Sequence, residues 1–187
     1  MLNNEAHALS IKEETMNILI AFFSRSDENY FGYEKRYVAV GNTEIAAEKA
    51  RKLTGADMFQ ISMKKPYSKE YDACMRESRE DKLNNARPEL VSLPESIDGY
   101  STIILAYPNY WKTMPMAVFT FLEAFDFTGK TILPLCTNEG DDLGRSVEDI
   151  KRACPGAKVA EGISLCGTGI ESSDPFIERW LRENGVI

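Results

Sequence analysis

Short apolar runs alternate with amphipathic helical patterns along this chain, and the alternation is the strongest constraint on its fold. The runs cover residues 17–23, 102–107, 131–136 and 158–165. A weaker alternating pattern passes through Asp57, Phe59 and Ile61. Nearly continuous apolar runs of this length are typical of strands buried on both faces of a parallel sheet. The sequence therefore predicts five strands.

Helical spacing appears between and after these strands. Apolar residues recur at intervals of three and four at Ala46, Ala50, Leu53, Leu143, Val147 and Ile150. A last helix is predicted with Asp174 as its cap, Pro175 in its first turn and Gly185 at its end, and its apolar face comprises Phe176, Ile177, Trp180 and Leu181. Parallel strands need crossover connections, and helices must cover both faces of their sheet. We therefore expect an α/β fold with a doubly wound five-stranded parallel sheet.

The length and charge of the chain limit its organisation and its partners. Its 187 residues suit one domain, which we place at residues 16–187 after an N-terminal extension of residues 1–15. The 22 basic and 29 acidic residues give a net charge of −7, which argues against binding to nucleic acid or to anionic lipid. No apolar run approaches the roughly 20 residues that span a bilayer. We expect a cytoplasmic protein.

The cysteines and the histidine exclude several classes of site. The four cysteines form no C-x-x-C pair, which favours free thiols in a reducing compartment, and Cys136, Cys154 and Cys166 are expected to be buried structural thiols. The chain has a single histidine, His7, so a histidine-ligated metal site and a Ser-His-Asp hydrolase are nearly excluded. We expect no metal.

The first strand-to-helix connection carries a candidate anion site. In open α/β sheets, ligands bind beyond the carboxyl ends of the strands. Ser24 and Arg25 follow the first strand, and after an unusually long connection Gly41, Asn42 and Thr43 open a helix. Hydroxyl groups and unpaired N–H groups at a helix N-terminus favour a phosphate. The alternative is that Asn42 or Thr43 only caps the helix.

The third strand ends in a loop with two large aromatic residues. The loop contains Pro108, Asn109, Tyr110, Trp111, Lys112 and Thr113. The rings of Tyr110 and Trp111 could sandwich a planar ligand, or they could cover the sheet edge or a protein interface. The next helix, residues 116–125, is apolar nearly all round, which indicates deep burial or a subunit contact. A monomer and a homodimer both remain open.

The fourth strand ends in a polar loop that contains Thr137, Asn138, Glu139 and Gly140. Its polar groups and its glycine could let the backbone approach a flat ligand and bind its edge. The alternative is a loop in which Asp141 or Asp142 caps the next helix.

Taken together, the motifs FFSR, VGNTE, KPYSKEYD, NARPEL, YPNYWKTMP and CTNEG resemble the flavodoxin-like family of small bacterial FMN proteins, in the branch with an extended phosphate loop. The resemblance covers nearly everything from Asn17 to the C-terminus. It implies the strand order 2-1-3-4-5 and non-covalent FMN. It further implies that Ser24, Asn42, Thr43 and the Gly41 backbone hold the phosphate, with Arg25 in the same loop. Residues 108–113 would line the isoalloxazine and ribityl groups, and residues 137–140 the other edge of the ring.

The resemblance leaves several functions open. The leading hypothesis is an FMN oxidoreductase or electron-transfer protein, in which the flavin supplies the redox chemistry and no side chain need act as an acid or a base. An electron carrier would dock a redox partner protein. An NAD(P)H-dependent reductase would bind NAD(P)H and a small quinone or nitro substrate in turn. The third alternative is an interaction module that keeps the fold without the cofactor.

Overall fold

A computed structural model describes residues 17–187, so the predicted extension at residues 1–15 lies outside the described residues. The strands are β1 (Ile18–Phe22), β2 (Asp27–Phe31), β3 (Glu34–Val38), β4 (Asp57–Gln60), β5 (Thr102–Pro108), β6 (Thr131–Asn138), β7 (Lys158–Val159) and β8 (Ile163–Cys166). The helices are α1 (Asn42–Thr54), α2 (Tyr71–Leu83), α3 (Met116–Glu123), α4 (Ser146–Ala153) and α5 (Asp174–Glu183), with a 3-10 helix at Gly167–Ser172.

The main sheet is parallel, and its strand order confirms the predicted fold class. The order is β4-β1-β5-β6-β7, and β8 also pairs with β6. The fifth predicted strand is therefore split into β7 and β8, which occupy one position beside β6. The interruption lies opposite Pro134, which has no N–H group to donate to a ladder. With the halves counted together, the order is 2-1-3-4-5.

The core lies on both faces of this sheet, as the nearly continuous apolar strands require. In β1, Leu19 and Ala21 face the cluster under α3 and α4, whereas Ile20 and Phe22 face the cluster under α1 and α5. This alternation follows from the two-residue period of a strand. Both faces are covered, so the polar loops at the strand ends are left as the place for a ligand.

The long connection after β1 is folded rather than irregular. Strands β2 and β3 form an antiparallel hairpin in which Tyr30 lies opposite Lys35. Gly32 takes a positive φ of 63° in its turn. The connection between β4 and β5 contains α2 and is polar over much of its length. These two elements lie outside the doubly wound core.

The helices that were predicted form, with small differences. α3 ends at Glu123, and its apolar residues are mostly buried inside this chain, which explains its composition without a subunit contact. α5 begins at Asp174 itself, so Ser173 and not Asp174 holds the cap position. Phe176 is exposed, although the rest of the predicted apolar face of α5 is buried.

The four cysteines are free, and three of them are buried. Cys166 is exposed at the end of β8, so the expectation that it is buried is wrong. No helix within residues 17–187 combines the length and the apolar character that crossing a bilayer requires.

Candidate functional site

A cavity of about 290 Å³ opens at the carboxyl ends of β1, β5 and β6. The predicted site residues that line it are Arg25, Asn42, Thr43, Pro108, Asn109, Tyr110, Thr137, Asn138 and Glu139. Five residues that were not predicted also line it, namely Asn29, Tyr30, Tyr71, Met75 and Asp141. Ser24, Gly41, Trp111, Lys112, Thr113 and Gly140 lie outside its lining. Three neighbouring strand ends thus contribute to one cavity.

The start of α1 forms one end of the cavity. Its first N–H groups have no carbonyl one turn earlier to bind, and Ser24 Oγ accepts the N–H of Glu44 at 3.1 Å. A Cβ on Gly41 would lie 2.3 Å from the Arg25 carbonyl oxygen and 2.4 Å from Ser24 Oγ. Only glycine therefore lets the end of β1 approach the helix this closely. The hydroxyl groups of Thr43 and Thr137 lie 2.7 Å apart and join the α1 and β6 sides of the cavity.

Arg25 holds the hairpin in place rather than leaving its guanidinium free. It donates to the carbonyl oxygens of Ser68 at 2.9 Å and Lys69 at 2.7 Å, and also to the carbonyl of Glu28. These bonds tie the base of the β2–β3 hairpin to the segment before α2. The positive charge remains on the cavity wall, but the N–H donors on both terminal nitrogens of the guanidinium group are already used.

The loop after β5 is a tight turn with two residues in an uncommon conformation. The backbones of Tyr110 and Thr113 exchange hydrogen bonds of 2.7 and 3.1 Å, and Trp111 and Lys112 at the tip have φ of 57° and 69°. Non-glycine residues in this region cost about 1–2 kcal/mol each. Asn109 Oδ1 accepts the N–H of Lys112 at 3.0 Å and helps to hold the turn.

Tyr110 and Trp111 are not arranged to sandwich a planar ligand, which was one of the alternatives left open, because only Tyr110 lines the cavity. Tyr110 is buried, packs edge-on against Phe23, and places its hydroxyl group 3.7 Å from Cys74 Sγ. Burial raises the pKa of Tyr110 well above its ordinary value. Trp111 points away from the cavity, because its indole N–H donates to Ser78 Oγ on α2 at 3.0 Å. The turn directs one ring into the core and the other onto α2.

The loop after β6 is shaped by the side chain of Asn138. Its Oδ1 accepts the N–H groups of Gly140 at 2.8 Å and Asp142 at 3.1 Å. Asn109 Nδ2 donates to the Asp142 carbonyl at 2.7 Å and so joins the β5 and β6 loops. The alternative that Asp141 or Asp142 caps the next helix is wrong, because α4 begins at Ser146 and Arg145 precedes it.

A flavodoxin family model matches residues 33–184 of this chain. The chain belongs to the flavodoxin family. A candidate flavoprotein of known structure from Bacteroides eggerthii is 27% identical, with a TM-score of 0.72 over 89% of this chain and 96% of its own. One from Bacteroides uniformis is 24% identical, with a TM-score of 0.70 over 87% and 98% of the two chains. No curated protein matches the sequence at a significant level.

A third structural relative of this chain was solved with a ligand. The flavoprotein from Lactobacillus acidophilus, in complex with FMN, is 14% identical and has a TM-score of 0.63 over 84% of this chain and 97% of its own. At this identity the likeness shows the shared fold. Family membership supports FMN as the cofactor.

Glu139 places a carboxylate beside the start of α1. Its Oε2 accepts the hydroxyl group of Thr168 at 2.6 Å, whereas its buried Oε1 has no hydrogen-bond partner within residues 17–187. A Cβ on Gly167 would lie 2.5 Å from that oxygen and 2.2 Å from Asn42 Nδ2, so all three residues meet at one point. An unpaired buried acceptor costs about 1–3 kcal/mol. A hydroxyl donor on a ligand would satisfy it.

The hairpin and α2 form a second wall, which the sequence did not predict. The rings of Tyr30 and Tyr71 stack with centroids 5.9 Å apart and an interplanar angle of 30°. Glu28 Oε2 accepts the N–H of Tyr71 at 2.8 Å, and Lys35 pairs with Asp72 at 2.6 Å. Burial raises the pKa of the Tyr71 hydroxyl group above its ordinary value. Two stacked aromatic rings that were not predicted thus line this wall of the cavity.

The residues present fit FMN. The start of α1 and the nearby hydroxyl groups of Ser24, Thr43 and Thr137 are the donor set that a phosphate needs without a lysine. The unpaired Glu139 Oε1 suits a polyol hydroxyl group. The aromatic pair of Tyr30 and Tyr71 suits a planar ring.

Proposed function

We propose that this protein binds FMN non-covalently in the cavity at the carboxyl edge of the sheet and transfers electrons through it. Bound FMN supplies the one- or two-electron redox chemistry. The residues of the chain bind the cofactor, orient it and limit its contact with water.

The observation that carries the proposal is the meeting of an anion site with polar strand ends and flat side chains. Thr43 and Thr137 lie on different elements, yet their hydroxyl groups are 2.7 Å apart at the start of α1. A phosphate there would be held by neutral donors and by the positive end of the helix dipole. Tyr30, Tyr71 and Met75 line the same cavity and would exclude water from an apolar ring.

The experiment is an FMN titration of the apoprotein, followed by the quenching of flavin fluorescence and by the visible spectrum. Thr43→Val keeps the shape of the side chain and removes its hydroxyl group. We expect this variant to bind FMN about tenfold more weakly, which corresponds to the loss of one charge-assisted hydrogen bond. Its affinity for riboflavin, which has no phosphate, should stay nearly unchanged.

The matched control is Thr54→Val, at the other end of α1, where the threonine hydroxyl group donates to the Ala50 carbonyl. It should bind FMN as the unmodified protein does. A colourless protein that takes up no FMN would contradict the proposal and favour the cofactor-free interaction module. Equal losses in both threonine variants would contradict the phosphate position.

Within this proposal, the net charge of −7 favours an electron carrier that docks a basic redox protein, because complementary charge speeds association. The free thiols suit a cytoplasmic location. Steady-state oxidation of NADH or NADPH with a quinone or a nitro compound present tests the alternative. Turnover would assign a reductase, whereas its absence together with a stable one-electron reduced state would support the carrier.

A further inference from the structure

A second cavity, of about 340 Å³, lies beyond the Tyr110–Thr113 turn from the first. Thr113 lines it, whereas Tyr110 lines the first cavity. Its charged side chains are Lys82, Arg87, Arg145, Arg152, Glu123 and Asp149. We call it the basic pocket. Four basic and two acidic side chains leave an excess of two positive charges, although the whole chain carries a net charge of −7.

The acidic groups of the basic pocket are already engaged. Glu123 binds Arg87 through both carboxylate oxygens at 2.6 Å, which makes a neutral pair. Asp149 is buried and accepts the hydroxyl group of Thr113 at 2.5 Å. The same carboxylate pairs with Arg145 at 3.2 Å and with Arg152. The single negative charge of Asp149 is therefore shared between two guanidinium groups.

Lys82 has no carboxylate partner within residues 17–187. Its ammonium group donates instead to the backbone carbonyl of Trp111. Burial lowers the pKa of Lys82, and the nearby positive charge of Arg145 lowers it further. A bound anion would relieve this repulsion.

We propose that the basic pocket binds a small organic phosphate. A phosphate monoester carries about −1.5 to −2 charges at pH 7, which matches the excess of positive charge. Guanidinium forks and a lysine point charge are the donors that phosphate oxygens take in proteins. Met116 and Phe119 line the same pocket and offer an apolar wall for the organic part. This inference does not depend on FMN binding.

Binding in the basic pocket has a local readout. A phosphate that takes the ammonium group of Lys82 draws it from the Trp111 carbonyl, at a turn whose two tip residues have positive φ. The emission of Trp111 should therefore change as the ligand binds. Trp180, the other tryptophan, lies on α5 with its N–H bound to the Glu161 carbonyl, so Trp111→Phe identifies the source of the signal.

The test titrates the protein with phenyl phosphate and with inorganic phosphate, against sodium chloride at equal ionic strength, by tryptophan emission and calorimetry. We expect saturable binding of phenyl phosphate, weaker binding of inorganic phosphate and no saturation with chloride. Lys82→Gln and Arg145→Gln should each weaken binding about tenfold. Lys151→Gln is the matched control, because this exposed residue on α4 lies outside the pocket and removes the same charge.

Each contrary result overturns the proposal. Equal weakening by Lys82→Gln and Lys151→Gln would show general charge screening. Loss of binding in Thr43→Val, with Lys82→Gln unaffected, would place the anion at the start of α1. Equal affinities for phenyl phosphate and inorganic phosphate would overturn the organic phosphate as ligand. Circular dichroism of every variant confirms that each one folds.

Discussion

At the scale of single residues, Gly41 decides how closely β1 approaches α1. Its φ of −78° suits any residue, so the constraint is steric and not conformational. A Cβ there would lie 2.3 Å from a backbone oxygen, which cannot move aside as a flexible side chain can. We expect Gly41→Ala to lower the free energy of unfolding by about 1–3 kcal/mol, as overpacked sites do, and to weaken FMN binding.

Urea denaturation and FMN titration measure both effects. Gly99→Ala is the control, because a Cβ on Gly99 would meet nothing within 4 Å. If Gly41→Ala were as stable as Gly99→Ala, the close approach would not constrain this connection.

Glu139 is the second residue whose role can be measured. Its carboxylate lies beside Asn42, where the proposed phosphate would bring more negative charge. A carboxylate beside a bound phosphate repels it, so Glu139→Gln should raise the ratio of FMN affinity to riboflavin affinity by a few-fold to about tenfold. The same removal of charge should raise the two-electron reduction potential of bound flavin.

The ratio of FMN to riboflavin affinity, with a potentiometric titration, tests this expectation. Glu148→Gln on α4 is the control for net charge, because Glu148 is exposed and lies outside the cavity lining. An unchanged affinity ratio in Glu139→Gln would place this carboxylate away from the phosphate.

At the scale of elements, the hairpin and α2 act as one wall of the cavity. Tyr71 joins them twice, through its stacked ring and through its backbone N–H to Glu28. Tyr71→Ala removes the ring contact, so we expect faster hydrogen exchange in β2 and β3 and less quenching of bound flavin. Tyr33→Ala is the control, because Tyr33 at the hairpin tip is fully exposed. Equal rates of hydrogen exchange in β2 and β3 of the two variants would show that α2 does not stabilise the hairpin.

The elements also show how far the sequence could predict the fold and the site. The apolar strands were found because burial on both faces removes polar residues from them, whereas the order of the strands came from the resemblance to a known family. The hairpin was missed because its two strands carry charges such as Glu28, Lys35 and Arg36, which hide a period of two. Tyr30 and Tyr71 were missed with it, because their stacking joins distant segments.

The orientation of the Trp111 side chain could not be predicted from the sequence, for a different reason. Two aromatic residues in a loop predict exposed rings, but the type of turn decides which of the two rings faces the cavity. Here Trp111 and Lys112 take positive φ without a glycine, which is uncommon, and the neighbouring Ser78 and Lys82 of α2 hold the turn. The start of α1 was easier to predict, because a helix start is a local feature.

At the scale of the whole molecule, the burial of thiol and phenol groups sets the response to alkaline pH. Burial raises the pKa of Cys154 to about 12, and it also raises the pKa values of Cys136 and Tyr107. An unfolded thiol ionises near pH 8.5, so the folded state holds a proton that the unfolded state has lost. Ionisation of these groups therefore leaves the free energy of unfolding unchanged below about pH 8.5. Above that pH the free energy of unfolding falls, until the pH reaches the folded pKa.

The variant Cys154→Ala removes one of these ionisable groups and so measures its contribution. In the unmodified protein, each such group makes the free energy of unfolding fall by about 1.4 kcal/mol per pH unit between the two pKa values. The variant should lose some stability at neutral pH, because the buried thiol packs in the core. Between about pH 9.5 and 11, its free energy of unfolding should fall less steeply with pH than that of the unmodified protein, by the contribution of one proton. Urea denaturation at several pH values measures both slopes. Below about pH 8 they should coincide, since the thiol is protonated in both states, and equal slopes above that pH would mean that Cys154 ionises in the folded protein as easily as in the unfolded chain.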